Sequence, residues 1–208
     1  MLLSTAYFPP IEFFALLAEN SVVYLDPFEH YQKQSWRNRC RILAESGPMD
    51  LNFPVVHDGD LFHTPVGKVL VDWSTPWLRR TEYAIESAYC SSPFFIYYRD
   101  ALFSILDSRP DTLWELNMRL IEFFCAKIGI ATQIRLTEEY LRPLVPPEFA
   151  PDYREAIHPK RPNTILADMG LDRGYWQVFR DRYGFVKGMS IMDLLFNEGP
   201  ESICWLKR

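Results

Sequence analysis

The apolar positions change period along the chain, and a sequence of elements follows from that change. Met1 to Tyr7 reads as a short strand, which the Pro9-Pro10 pair must end because proline lacks an amide donor. Ile11, Phe14 and Ala15 then fall at helical spacing, extended by Leu17 and Ala18. The apolar run from Ser21 closes in Asp26-Pro27, which predicts a second buried strand and completes the opening of a βαβ unit. Between Trp36 and Leu70 the period shortens. RNRCRIL, MDLNFPVV and GKVLVDW are strand-like runs separated by the turn signals Ser46-Gly47-Pro48 and His57-Asp58-Gly59-Asp60. From Thr75, read as a cap with Pro76 in the first turn, it becomes helical again, with Leu78, Ile85, Ala88 and Tyr89 on one face.

Two further helices are predicted over Pro93–Leu106 and Thr112–Ile128, the second stopped by Gly129. Thr132 to Leu136 is a strand candidate, and Pro143, Pro146, Pro147 and Pro151 make the next passage a loop. A last helix runs from Ser190, as N-cap, to Asn197 and ends at Gly199-Pro200. The fold class predicted is α/β: one domain over residues 1–208, a mainly parallel sheet with flanking helices, and an antiparallel β insertion from about Trp36 to Val71.

Composition narrows the function classes. The chain has 208 residues, 48% of them hydrophobic, which suits one globular core. No apolar run is long enough to predict a membrane span. A net charge of -5 disfavours coating of nucleic acid, which rests on many Lys and Arg contacts to phosphate. The first residues lack the basic start and small-residue cleavage site of a signal peptide, so a cytoplasmic protein is expected. Cys40, Cys90, Cys125 and Cys204 lie too far apart for a metal motif and are expected to be buried reduced thiols. Neither a metal nor a cofactor is expected, and the oligomeric state stays open.

Candidate chemistry concentrates in the first quarter of the chain. The turn Ala6 to Pro10 leads from strand to helix, where free amides could meet an anion, although it lacks the glycines of a phosphate loop. Asp26 ends the second strand, and Gln32, Trp36, Arg37, Asn38, Arg39 and Arg41 follow closely. Strand alternation would put Arg37, Arg39 and Arg41 on one face and Trp36, Asn38 and Cys40 on the other. Three guanidiniums side by side suit a phosphate or carboxylate, so a small anionic ligand is the expected partner. A solvated edge strand explains the same charges without a ligand. His158-Pro159-Lys160-Arg161 is a second cationic cluster on a loop. His57 with Asp58 and Asp60 reads first as a turn, and Tyr97-Tyr98 and Tyr175-Trp176 as core aromatics. No G-x-S-x-G or paired Cys and His signals a nucleophile.

Several of these segments, taken in order, are similar to one family. They are Tyr7-Phe8-Pro9 with Phe13-Phe14, Tyr24-Leu25-Asp26, Ser35-Trp36-Arg37-Asn38-Arg39, Leu51 to Val55, Trp77 with Tyr89, Leu116-Asn117, Ile128-Gly129-Ile130 and Ser190 to Asn197. Together they resemble the WbqC-like protein family. That resemblance implies a bacterial protein of surface-polysaccharide (O-antigen) biosynthesis, with transferase-like action on, or binding of, a nucleotide-activated sugar. The action implied is transfer of an amino-acid or acyl group. Where the family carries two histidines this chain has Leu3 and Thr81. A protein that binds or assembles without catalysis is therefore one alternative, and a nucleotidylyltransferase-like enzyme another. On this reading Tyr7, Gln32, Trp36, Arg37, Asn38, Arg39, Asp193 and Asn197 bind the ligand, and Asp26 or His158 moves a proton.

Overall fold

The first strand is cut short by its own turn. In the computed structural model, which describes residues 1–57 and 59–208, β1 holds only Leu2–Leu3. Beyond it the Ser4 hydroxyl turns to Glu29 and the Tyr7 amide donates to the Trp36 carbonyl at 2.8 Å, which takes the backbone out of the ladder. Phe8 is held at a positive φ of 42° between Tyr7 and Phe124, a costly conformation for a bulky residue that its packing enforces. Helix α1 (Ile11–Glu19) follows, buried on every side from Ile11 to Leu17, and leads into β2 (Val22–Leu25).

Strands β3 (Arg39–Ala44) and β4 (Gly47–Asn52) form the antiparallel insertion, turning at Glu45-Ser46 with Gly47 at φ 103°. The third predicted strand of that region does not form. Residues 66–68 make a tight turn, and only single bridges, Val55 to Val71 and Leu70 to Thr112, remain. The Gly67 amide instead donates to the Pro27 carbonyl at 2.9 Å, and the residues after it divide their bonds between residues 54–56 and 111–113.

Helices α2 (Trp77–Tyr89), α3 (Phe95–Asp107) and α4 (Leu113–Ile128) come next. The Thr112 side chain caps α4, and Gly129 ends it at φ 82°, as its sequence predicts. The expected Thr75 cap of α2 is absent: Pro76 occupies the cap position without a side-chain bond. After β5 (Gln133–Leu136) the proline-rich passage leads to short helices α5 (Ile165–Asp168) and α6 (Arg180–Tyr183). Helices α7 (Ile191–Glu198) and α8 (Ile203–Leu206) close the chain.

The fold is α/β. One sheet is parallel, in the order β1-β2-β5, and the insertion is a separate antiparallel pair. The outer edge of β1 is covered by the chain at Asp152, through Leu2 N–H to Pro151 at 3.0 Å and Tyr153 N–H to Leu2 at 2.9 Å. Buried hydrophobic side chains form a cluster that runs from Leu3 to Leu206. No described helix is long and apolar enough to cross a membrane. The cysteine expectation needs correction. All four are free, but only Cys40 is buried: Cys125 is half-buried, and Cys90 and Cys204 are exposed. Tyr98 and Tyr175 are core as expected, whereas their neighbours Tyr97 and Trp176 face outward, since adjacent positions point apart.

Candidate functional site

Three side chains directly follow the parallel strands: Ser4 after β1, Asp26 after β2 and Thr137 after β5. In an open parallel sheet this end is where ligands bind. Here the protein fills it with its own charges. Asp26 is fully buried and receives the Thr137 hydroxyl at 3.0 Å, the Phe28 amide at 2.9 Å, the Leu141 amide at 3.4 Å and Arg154 Nη1 at 2.7 Å. Beside it Arg37 pairs with Glu29 through Nε at 3.0 Å and Nη2 at 2.7 Å, and it also donates to Ser4 and Gln32. Burial pushes the Glu29 carboxyl above its ordinary range, and the adjacent guanidinium pulls the other way.

This network corrects the expectation of three arginines on one strand face. Arg37 precedes β3 and is turned inward, with a side chain only 3% exposed. Arg39 and Arg41 do share a face, but Asp50 on β4 lies between them, at 3.3 Å and 2.7 Å. The Arg37 charge is thus matched within the protein, while Arg39 and Arg41 share one carboxylate.

A cleft lies outward of this network. It has a volume of about 500 Å³ and is walled by Trp36, Arg41, the loop His158 to Asn163, and Lys187 with Asp172. Arg41 lies over the Trp36 ring, 5.5 Å from its centroid. The loop is tied to the segment before β3: Glu155 joins Gln32 at 2.5 Å and Arg161 at 2.7 Å, and Lys160 meets Gln34. Four cations, Arg41, Lys160, Arg161 and Lys187, line the cleft against two carboxylates, Glu12 and Asp172. Burial, then Arg161, lowers the His158 imidazole below its usual value. Its Nδ1 accepts the Lys160 amide at 3.1 Å, so the neutral ring carries its proton on Nε2.

The predicted site residues therefore divide. Trp36 and His158 meet at the cleft, and Gln32 stands behind its loop. Asn38 and Arg39 line a second depression of about 310 Å³ with Lys33, His57 and Asp72; the neighbouring Asp58 lies outside the described residues. Asn38 spends its amide on the Phe53 carbonyl at 2.8 Å. Tyr7 lies in the core, in edge contact with Phe8 and Phe53, and burial raises its phenol well above the ordinary value. The amides of the Ala6–Pro10 turn are likewise turned inward: the first amide of α1, on Ile11, donates to the Met189 carbonyl at 3.3 Å.

Asp193 and Asn197 sit on α7, remote from Arg37 in chemistry as well as in chain position. Asp193 accepts from Tyr89 at 3.1 Å, Tyr175 at 2.5 Å and Gln177 at 2.7 Å, and Asn197 braces the carbonyl of Asp193 at 2.7 Å. Its three side-chain donors are neutral, and burial pushes the carboxyl up to about 6. Leu3 is packed beside Leu25 in the sheet and Thr81 is buried on α2.

Sequence reasoning missed Glu12, Glu29, Arg154, Asn163 and Lys187. Glu12 had a legible signal, a lone acid in an otherwise apolar first turn. Arg154 and Asn163 had none, because their partners Asp26 and Glu12 lie 128 and 151 positions away.

Comparisons with known proteins agree with the sequence pattern. The model of the WbqC-like protein family matches residues 5–144, which hold Trp36 and Arg41 but end before the His158 loop and α7. A relative in Mycobacterium tuberculosis, "Uncharacterized protein Rv1507c", is 27% identical across 97% of this chain and 94% of its own length. No solved structure matches the chain.

Proposed function

This chain belongs to the WbqC-like protein family, and from that premise we propose that its cleft binds the phosphate end of a nucleotide-activated sugar. The protein would serve surface-polysaccharide assembly in the bacterial cytoplasm, with transferase-like action on that sugar. One observation carries the reading: four cations wall a cleft of about 500 Å³ beside an aromatic ring. Two of them are free to turn to a ligand. The Arg161–Glu155 and Lys187–Asp172 pairs are largely exposed, and such pairs contribute only about 0–1 kcal/mol. A phosphate outbids them because it offers several acceptor oxygens to guanidinium forks. Arg37 lies on the other side of Trp36 from the cleft, and His158 is the proton-bearing group at the cleft.

A second reading, binding without chemistry, is favoured by a separate observation. Asp26 has four donors of its own, and the His158 Nδ1 lone pair is occupied. Neither is free to take a proton as the side chains stand.

Calorimetric titration with UDP, dTDP and GDP sugars tests the site. Micromolar binding that weakens at least about tenfold in Lys160→Ala/Arg161→Ala, and falls with added salt, is the expected result. Absence of binding across the panel, or binding indifferent to the double substitution, rules the cleft out. Consumption of an amino-acid or acyl donor by the bound complex separates the transferase from the binding protein.

A further inference from the structure

One carboxylate in this cleft is only half used by the fold. Glu12 lies in the first turn of α1, is only 9% exposed, and lines the wall that the cleft shares with a hollow of about 30 Å³ behind it. Its Oε1 accepts the Asn163 amide at 3.2 Å, while Oε2 is buried with no partner among the described residues. Burial raises the carboxyl above its ordinary range. A buried acceptor left unpaired forfeits about 1–3 kcal/mol, more when it is charged. The neighbouring cations do not relieve it. Arg41 is bonded to Asp50, Arg161 to Glu155, Lys187 to Asp172, and Lys160 to Gln34. As the side chains stand none of these cations donates to Oε2, and a ligand group in the cleft would supply the donor.

The hollow beyond Glu12 is apolar for most of its wall, formed by Ile11, Leu166, Leu171, Phe185, Leu194 and Trp205. A volume near 30 Å³ accommodates a single small group, about the share one water takes in the liquid. The cleft therefore has two chemically distinct ends. Cations stand at Arg41 and Lys160–Arg161, and an acceptor with a small apolar hollow stands at Glu12.

We propose that Glu12 is a ligand-binding residue, whose Oε2 accepts a hydrogen bond from a hydroxyl or amine on the sugar end of the ligand, with room beside it for one methyl-sized substituent. The proposal rests on the reading of the cleft as a phosphate site, and it adds the residue that distinguishes a glycosylated nucleotide from a bare one. Glu12→Gln is the informative substitution. It keeps size and the bond to Asn163 but replaces the acceptor Oε2 with a donor, and it removes a buried carboxyl, so the fold is retained.

The experiment is titration of the wild type and Glu12→Gln with UDP, dTDP and GDP and with their hexose and 6-deoxyhexose conjugates, with thermal unfolding to verify folding. The wild type is expected to bind a conjugate at least about tenfold more tightly than its bare nucleotide. Glu12→Gln is expected to lose that preference while binding the bare nucleotide as before. If bare nucleotides bind but no conjugate binds more tightly, or if Glu12→Gln keeps the preference, Glu12 is structural and the phosphate site stands alone. If Glu12→Gln weakens bare nucleotide and conjugate equally, Glu12 shapes the cleft without reading the sugar, and the proposal fails. If nothing binds the wild type, both readings fail together. An unfolded Glu12→Gln would show that the carboxylate is needed by the fold, which also overturns the proposal.

Discussion

Arg37 is the residue whose meaning changes most between the chain and the folded protein. In sequence it is the middle of a basic run; in the structure it is half of a buried pair, with Arg37 and Glu29 side chains 3% and 5% exposed. Removing one partner of such a pair strands a charge, at a cost of about 3–5 kcal/mol. Arg37→Ala should therefore lower the urea midpoint steeply, whereas Lys160→Ala, at the surface, should leave it within about 0.5 kcal/mol. Equal midpoints for the two would disprove the structural assignment. Asp193 makes a second residue-scale case. Its folded pKa of about 6 lies above the unfolded value of 3.8, so the native state holds the proton more tightly between those values. Its contribution to stability is complete below about pH 3.8 and is lost as the pH rises through about 6. Denaturation midpoints measured across that window should flatten in Asp193→Asn; an unaltered slope would assign the pH dependence to another group.

At the scale of elements, caps and stops were the most legible features, because their chemistry is local. Gly129, Ser190 and Gly199 act where the sequence places them, since a cap needs only the amides or carbonyls within one turn, although Thr75 does not cap α2. Two glycines separate backbone strain from collision. A Cβ on Gly129 meets nothing within 4 Å, so Gly129→Ala should cost only the left-handed penalty of about 1–2 kcal/mol. A Cβ on Gly199 would lie 2.5 Å from the Phe94 ring, so Gly199→Ala should cost clearly more. Thermal unfolding of both variants compares them directly, and equal losses would show that Phe94 moves aside. The errors at this scale came from strands. A strand needs a continuous ladder, and GKVLVDW has only scattered bonds, split between the segment around Val55 and that around Thr112.

At the scale of the whole molecule, the His158 loop closes the cleft by a few exposed bonds, chiefly those of Glu155 to Gln32 and Arg161. Glu155→Ala should leave global stability within about 0.5 kcal/mol, since exposed pairs contribute little. Amide exchange over residues 155–161 should nevertheless accelerate, because local opening no longer breaks those bonds. Unchanged exchange would mean that the prolines alone hold the loop. The sequence by itself determined the periods of its elements, the helix caps and stops, the α/β class and the family, because each depends on residues close in the chain or on their order. Only the tertiary structure decided which charges are spent and which remain. Asp26 meets Arg154 across 128 positions and Glu12 meets Asn163 across 151, and no local pattern encodes such pairings. A basic run looks the same in sequence whether its counter-charges lie in a ligand or in the protein, and here Glu29 and Asp50 supply them.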